Sequence, residues 1–163
     1  MRNKILLIIM IMLSFTLISC KKKEARPLEE NEYYIYYINT NMNTLVENRY
    51  SADAQRYDTQ ALVNELMMHF LKVPDDLEAM GALSDKVTYQ GFSIDGNILY
   101  LNFDTNYQGM EVSREVLARA ALAKTLIQID GIEYISIRSG EQPLLNALGE
   151  NVGLISSTNF INS

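Results

Sequence analysis

"VTYQGFSIDGNILYLNF", residues 87–103, decides how this chain folds. Two strand-like runs, Val87–Ile94 and Ile98–Phe103, meet through Asp95-Gly96. Asp-Gly between apolar runs is a strong hairpin signal, because both residues tolerate the positive φ of a tight turn. In the second run Leu99, Leu101 and Phe103 alternate with Tyr100, Asn102 and Asp104. A period of two with one apolar face predicts an antiparallel sheet packed on one side.

The segments flanking the hairpin read as helices. In "DTQALVNELMMHFLK", residues 58–72, Val63, Leu66, Met67, Phe70 and Leu71 recur at helical spacing, and Asp58 or Thr59 can cap the start. His69, the only histidine, falls about 140° from the centre of that stripe at ~100° per residue, which predicts a solvated surface side chain. "VPDDLEAMGALSDK", residues 73–86, reads as a loop with one helical turn. Its acids Asp75, Asp76 and Glu78 lack the alternating ligands, glycine and final glutamate of an EF-hand.

"EVSREVLARAALAKTLIQIDG", residues 111–131, is a long helix with two apolar stripes. Val116, Ala120, Ala123 and Ile127 form one; Ala118, Ala121, Leu122, Thr125 and Ile129 form the other. The double stripe is wider than one sheet needs. Either alanine serves here as the best helix former, or the second stripe is a face for a partner. Gly131 is placed to end this helix.

Before the first helix, "EYYIYYINT" supplies a strand at Tyr33–Asn39, "TNMN" a turn and "TLVENRYS" a return strand. The tyrosines fit a sheet strand bearing them on both faces; a stacking surface for a ligand is the other reading. After the second helix, Ile132–Arg138 is a strand, and the last segment should pack back through Leu144, Leu145, Leu154 and Phe160. The order β-α-β-β-α-β predicts an α+β, two-layer sandwich: a mainly antiparallel sheet with two helices on one face.

The N-terminus carries a different message. "MRNK" precedes about fifteen mostly apolar residues, shorter than the ~20 that span a bilayer. Basic start, short apolar run and small residues at its end read as a secretory signal peptide. The run closes on Leu17-Ile18-Ser19-Cys20, which resembles a bacterial lipobox. That resemblance implies cleavage between Ser19 and Cys20 and a diacylglyceryl group on the Cys20 thiol. An uncleaved membrane helix with an incidental cysteine is the alternative. The resulting organisation is a lipoprotein signal peptide over 1–19, a lipidated Cys20 with a charged tether over 20–31, and a single domain over 32–163. The eleven tether residues after Cys20 would reach at most ~40 Å.

Composition narrows the function. The 163 residues include 14 basic and 20 acidic side chains, a formal charge of −6. Six of the bases (Arg2, Lys4, Lys21, Lys22, Lys23 and Arg26) flank the apolar run, leaving eight against 20 acids elsewhere. So acidic a body lacks the basic face that nucleic acid requires. One cysteine permits no internal disulfide, and with one histidine it gives no metal-ligand set. No Ser-His-Asp, HExxH or phosphate-loop pattern occurs, so no catalytic, metal or cofactor residue is assigned. Paired carboxylates on separate loops would still allow a hydrolase.

From Tyr33 to Asn162 the chain resembles the GerMN domain, the sporulation and spore germination module of Gram-positive bacteria. "YYINTNMNTLVENRY" is similar to its opening strand and return, and "ALVNELM" to its first helix. "VTYQGFSIDGNILYLNF" resembles its central hairpin, "ALAKTLIQIDGIEYISIRSGEQ" its second helix and closing strand, and "GLISSTNFIN" its end. "HFLKVPDD" has one proline where the family often has two, and "MGALSDK" replaces the usual Pro-Gly approach to the hairpin. The resemblance implies a non-enzymatic module on a membrane lipoprotein, outside the cytoplasm. Its partners would be membrane lipid and an envelope or sporulation-complex protein, with self-association open. It also implies likeness to the small α+β ring-building modules of secretion systems. Cell-wall glycan or small-ligand binding is the alternative function.

Overall fold

The hairpin of residues 87–103 forms as two antiparallel strands in the computed structural model, which describes residues 26–156 and 158. In chain order the elements are β1 (Glu32–Asn39), β2 (Leu45–Ser51), α1 (Thr59–Phe70), β3 (Ala79–Met80), β4 (Tyr89–Asp95), β5 (Ile98–Phe103), α2 (Val112–Leu126), β6 (Tyr134–Ser139), β7 (Gln142–Pro143) and β8 (Leu154–Ile155). Asp95 pairs with Ile98, so the turn itself is Gly96-Asn97, one residue later than the Asp-Gly reading. Gly96 takes φ 59, a value that costs a side-chain-bearing residue more. At the other end of β4 a bulge between Tyr89 and Gly91 shifts the register.

The fold is α+β, but where the sequence predicts one sheet the strands form two. One has the order β2-β1-β3; the other runs β4-β5-β6-β7, with β8 also paired to β6. β5 and β6 are parallel, with α2 as the crossover between them. β2 lines β1 from Glu32 to Ile38. On its other edge β1 meets β3 only at Ile38 and Asn39. The rest of that edge is closed by α2. Thr125 Oγ1 accepts from the Tyr36 N–H at 3.0 Å, and Gln128 Oε1 accepts from the Tyr34 N–H at 2.9 Å. Gln128 Nε2 donates back to the Tyr34 carbonyl at 2.8 Å. Two side chains thus take the place of a neighbouring strand, which buried backbone groups require.

Helix ends follow from local chemistry. Asp58 caps α1 by accepting from Ala61 N–H, and Glu111 caps α2 by accepting from Ser113 and Arg114 N–H. The loop after α1 makes the short strand β3 where a helical turn is expected. Arg114 staples that loop, donating to the carbonyls of Gly81, Ala82 and Leu83 at 2.6–3.2 Å. In the last segment Leu144 and Ile155 are buried, while Leu145 and Leu154 stay exposed. Period two explains it: Ile155 lies opposite buried Ile135, and Leu154 opposite Ser136 on the open face. Phe160 lies outside the described residues.

The first described residues are already tied to the domain. Arg26 pairs with Glu29 and with Glu32, each at 2.6 Å, and Arg49 donates to the Arg26 carbonyl. Arg56 donates to the Glu30 carbonyl, and Asn31 bonds across to Ser51 and Ala52. Residues from Arg26 onward are therefore stitched to the start of β1 and to β2.

The edge closure yields a test. Thr125→Val keeps the shape and removes the acceptor of the Tyr36 N–H. Urea denaturation should show a loss of about 1–3 kcal/mol. An unchanged midpoint would mean that the helix does not complete β1.

Candidate functional site

The second stripe of α2 is not a surface. Ala118, Ala121, Leu122 and Thr125 have no exposed area, and Ile129 is 1% exposed. The stripe meets the chain's own β1, against which α2 lies closely, and the core cluster that includes Leu99, Leu101, Ile135 and Ile137. A helix apolar on so much of its circumference is interior. Only Val112 and Val116 leave α2 as exposed apolar side chains.

The tyrosines of β1 are likewise committed. Tyr33 and Tyr37 are core, and Tyr37 Oη donates to the His69 carbonyl at 2.9 Å. On the other face the Arg49 guanidinium lies 5.8 Å from the Tyr34 ring and the Lys124 ammonium 5.5 Å from Tyr36. One face of each ring already has a cation from this chain, which leaves little of a stacking platform for a sugar.

His69 is half-buried, not solvated. Its ring stacks on Tyr50 at 3.9 Å, because β2 covers that side of α1. Helical angle alone places His69 away from the first core; it cannot show that β2 crosses there. Burial holds the His69 pKa below its ordinary value, Lys72 adds to this, and Glu65 and Asp53 oppose it. Burial pushes the Glu65 carboxyl up, but hydrogen bonds from Tyr50 Oη and the N–H groups of Asp53 and Ala54 leave it lowered on balance.

Tyr107, Glu115 and Arg119 form the other ionisable group. Tyr107 is fully buried, and its hydroxyl has no hydrogen-bond partner among the described residues. Glu115 Oε1 and Arg119 Nε are 2.9 Å apart, an ion pair without the alignment of a hydrogen bond. Burial raises Glu115, against the pull of Arg119, and raises Tyr107 strongly. These are the side chains that sequence patterns of catalysis do not flag; Tyr107 and Glu115 are buried, and Arg119 is half-buried beside them. Among the described residues no group of three or more His, Cys, Asp or Glu is placed to hold a metal ion.

The exposed feature is a ridge where α1 ends. Met68, Leu71, Val73 and Leu77 are exposed, Val73 at 85% and Leu77 at 95%. Leu71 belongs to the predicted core stripe but sits at the helix C-cap, where the chain turns away. One groove beside the ridge, about 730 Å³, is lined by Phe70, Val73, Leu83, Val87, Tyr89 and Arg114 among others. Tyr89 Oη is buried with no partner among the described residues, and burial pushes its pKa up to about 12. A second groove, about 280 Å³, runs along the other side between Val73 and Tyr50. Three apolar residues in a Pro- and Asp-containing loop are the signal that would find this ridge in the sequence.

Residues 34–145 match the Germane family, described as sporulation and spore germination. The chain belongs to that family. No curated protein matches it in sequence. Among solved structures it is similar to the first GerMN domain of the sporulation protein GerM from Bacillus subtilis, with a TM-score of 0.60 and 12% identity over 78% of this chain and 98% of that one. It is also similar to the tandem GerMN domains of the same protein, with a TM-score of 0.51 and 16% identity over 82% of this chain and 49% of that one. The chain spans about half the length of the tandem structure. At these identities the likeness is one of fold.

His69 gives a pH test. Its lowered pKa means that the unfolded chain takes up a proton first, from about pH 6.5 downward. Stability is then complete above that pH and falls as pH drops toward the folded pKa. His69→Gln should lose less stability than wild type between pH 7 and pH 5 in urea titrations. Equal slopes would show that His69 titrates alike in both states.

Proposed function

We propose that this chain is a lipid-anchored extracytoplasmic lipoprotein whose GerMN-type domain is a non-enzymatic assembly module. Sporulation, germination or envelope signalling is its setting, and an envelope protein or a further copy is its partner. The observation that carries the reading is the ridge. Val73 is almost fully exposed where two grooves meet, and Leu77, four residues on in the same loop, is almost fully exposed as well, on a domain whose other large apolar side chains mostly have a place in the core. Exposed apolar clusters of this kind mark contact surfaces.

The anchor rests on Leu17-Ile18-Ser19-Cys20 at the end of a signal-type run, a segment outside the described residues. Each buried acyl CH₂ contributes about 0.8 kcal/mol of membrane affinity, so two chains hold a protein firmly. Among the described residues no helix is long and apolar enough to cross a membrane. A hydrolase reading finds no support in Glu115, which is buried and already paired with Arg119.

Two measurements test this. Cys20→Ala should yield a protein without the diacylglyceryl mass and without cleavage before residue 20; normal mass and processing would sink the anchor. The wild-type protein should run as a high-mass complex in native electrophoresis of solubilised membranes, and Val73→Glu combined with Leu77→Glu should abolish that complex while leaving the melting temperature within a few degrees. A complex of unchanged size in that variant would remove the ridge from the contact.

A further inference from the structure

We propose that the pole of the domain bearing Leu28 and Tyr57 rests on the lipid surface, so that the Val73–Leu77 ridge points away from the membrane. The inference deepens the reading of Cys20 as the anchor and depends on it. Its first support is the length of the leash. Arg26 is held by Glu29 and Glu32, and Arg49 binds its carbonyl, so only residues 21–25 separate the anchored cysteine from the domain. Five residues reach at most about 18 Å. The headgroup layer takes roughly 5–8 Å of that, which leaves the pole no more than about one helix diameter above the bilayer.

The second support is what that pole exposes. Tyr57 is 87% exposed and Leu28 is 37% exposed. Tyr57 shares a shallow concavity with Glu30 and Asn31, where the chain enters, and its neighbour Arg56 binds the Glu30 carbonyl. An exposed tyrosine suits the interface, with ring toward acyl chains and hydroxyl toward water. The arginines here are already engaged: Arg56 bidentate with Asp130, Arg26 and Arg49 with Glu32. Glu30 and Asp53 line the same concavity as Tyr57 and would be repelled by anionic lipid. The contact is therefore apolar and interfacial.

The third support is direction. β1 starts at this pole and spans eight residues, about 25 Å, to Asn39. There Thr40 donates to the Glu78 carbonyl and Tyr37 reaches the end of α1, which places the ridge at the opposite pole.

The chain has no tryptophan, so one can be introduced as a sole reporter. Lipidated mature protein carrying Tyr57→Trp or Leu77→Trp is reconstituted in phosphatidylcholine vesicles containing brominated lipid. Tyr57→Trp emission should fall at least twofold, and Leu77→Trp emission should not change. Adding Arg26→Ala, which frees the leash, should restore much of the Tyr57→Trp signal. Flotation separates the two claims. Protein that does not float with vesicles defeats the anchor and the orientation together. Protein that floats with Leu77→Trp quenched as strongly as Tyr57→Trp, or with neither quenched, defeats the orientation alone.

Discussion

Everything in this fold depends on how the second edge of β1 is closed. β2 pairs with one side of β1 along nearly its whole length, and β3 reaches only Ile38 and Asn39 on the other. The Tyr34 and Tyr36 backbone groups between would be left unpaired, at a cost of the order of 1–3 kcal/mol each. Thr125 and Gln128 satisfy them from α2. For side chains that short to reach a strand backbone, the helix must lie very near it, and Ala118 and Ala121 permit that approach. Once α2 occupies the edge, no further strand can add there. The sheet divides, and α2 becomes an interior element between the two halves.

This one constraint explains which parts of the structure are legible in the sequence. The hairpin over β4 and β5 and both helices are local patterns, read from period two, period 3.6 and a cap at Asp58 or Thr59. The two sheets, the parallel β5–β6 pair and the two-residue strands β3, β7 and β8 are set by partners far away in sequence. A two-residue strand has no periodicity to read. The alanine-rich stripe of α2 is legible as apolar, but its partner is not: a buried alanine against the chain's own strand and one awaiting another protein have the same letters. His69 fails for the same reason, since its neighbour Tyr50 comes from another element.

The division of the molecule into poles bears on function more than any single residue does. Of its ionisable side chains, Tyr107 and Glu115 are buried, and Glu115 is paired with the half-buried Arg119. Burial raises the Glu115 carboxyl and Arg119 pulls it back, and a pair so placed gains little net stability after desolvation. Among the exposed apolar side chains, Tyr57 lies near where the chain enters, and Val73 and Leu77 lie just past the end of α1. Chemistry at a substrate would need convergent groups at an opening; contact with a partner needs an exposed apolar patch on a rigid support, which the C-terminal end of α1 supplies.

A short leash changes what such a patch can do. A long tether gives reach and lets a domain sample every orientation; a tether of about five residues gives orientation and little reach. If the anchor is at Cys20, the ion pairs at Arg26 convert an attachment point into a fixed standing direction. Neighbouring copies on one membrane would then present their ridges at the same height, roughly 25 Å beyond the lipid-facing pole, measured along β1. Partners confined to one layer and one orientation have less rotational freedom to lose on association. The Arg26 contacts lie at the surface and contribute little to folding stability, since exposed ion pairs are worth at most about 1 kcal/mol. With an anchor at Cys20, their larger physical effect would be on the geometry of the domain, because the same salt bridges that add little to the fold would remove six residues, Arg26 to Asn31, from the leash.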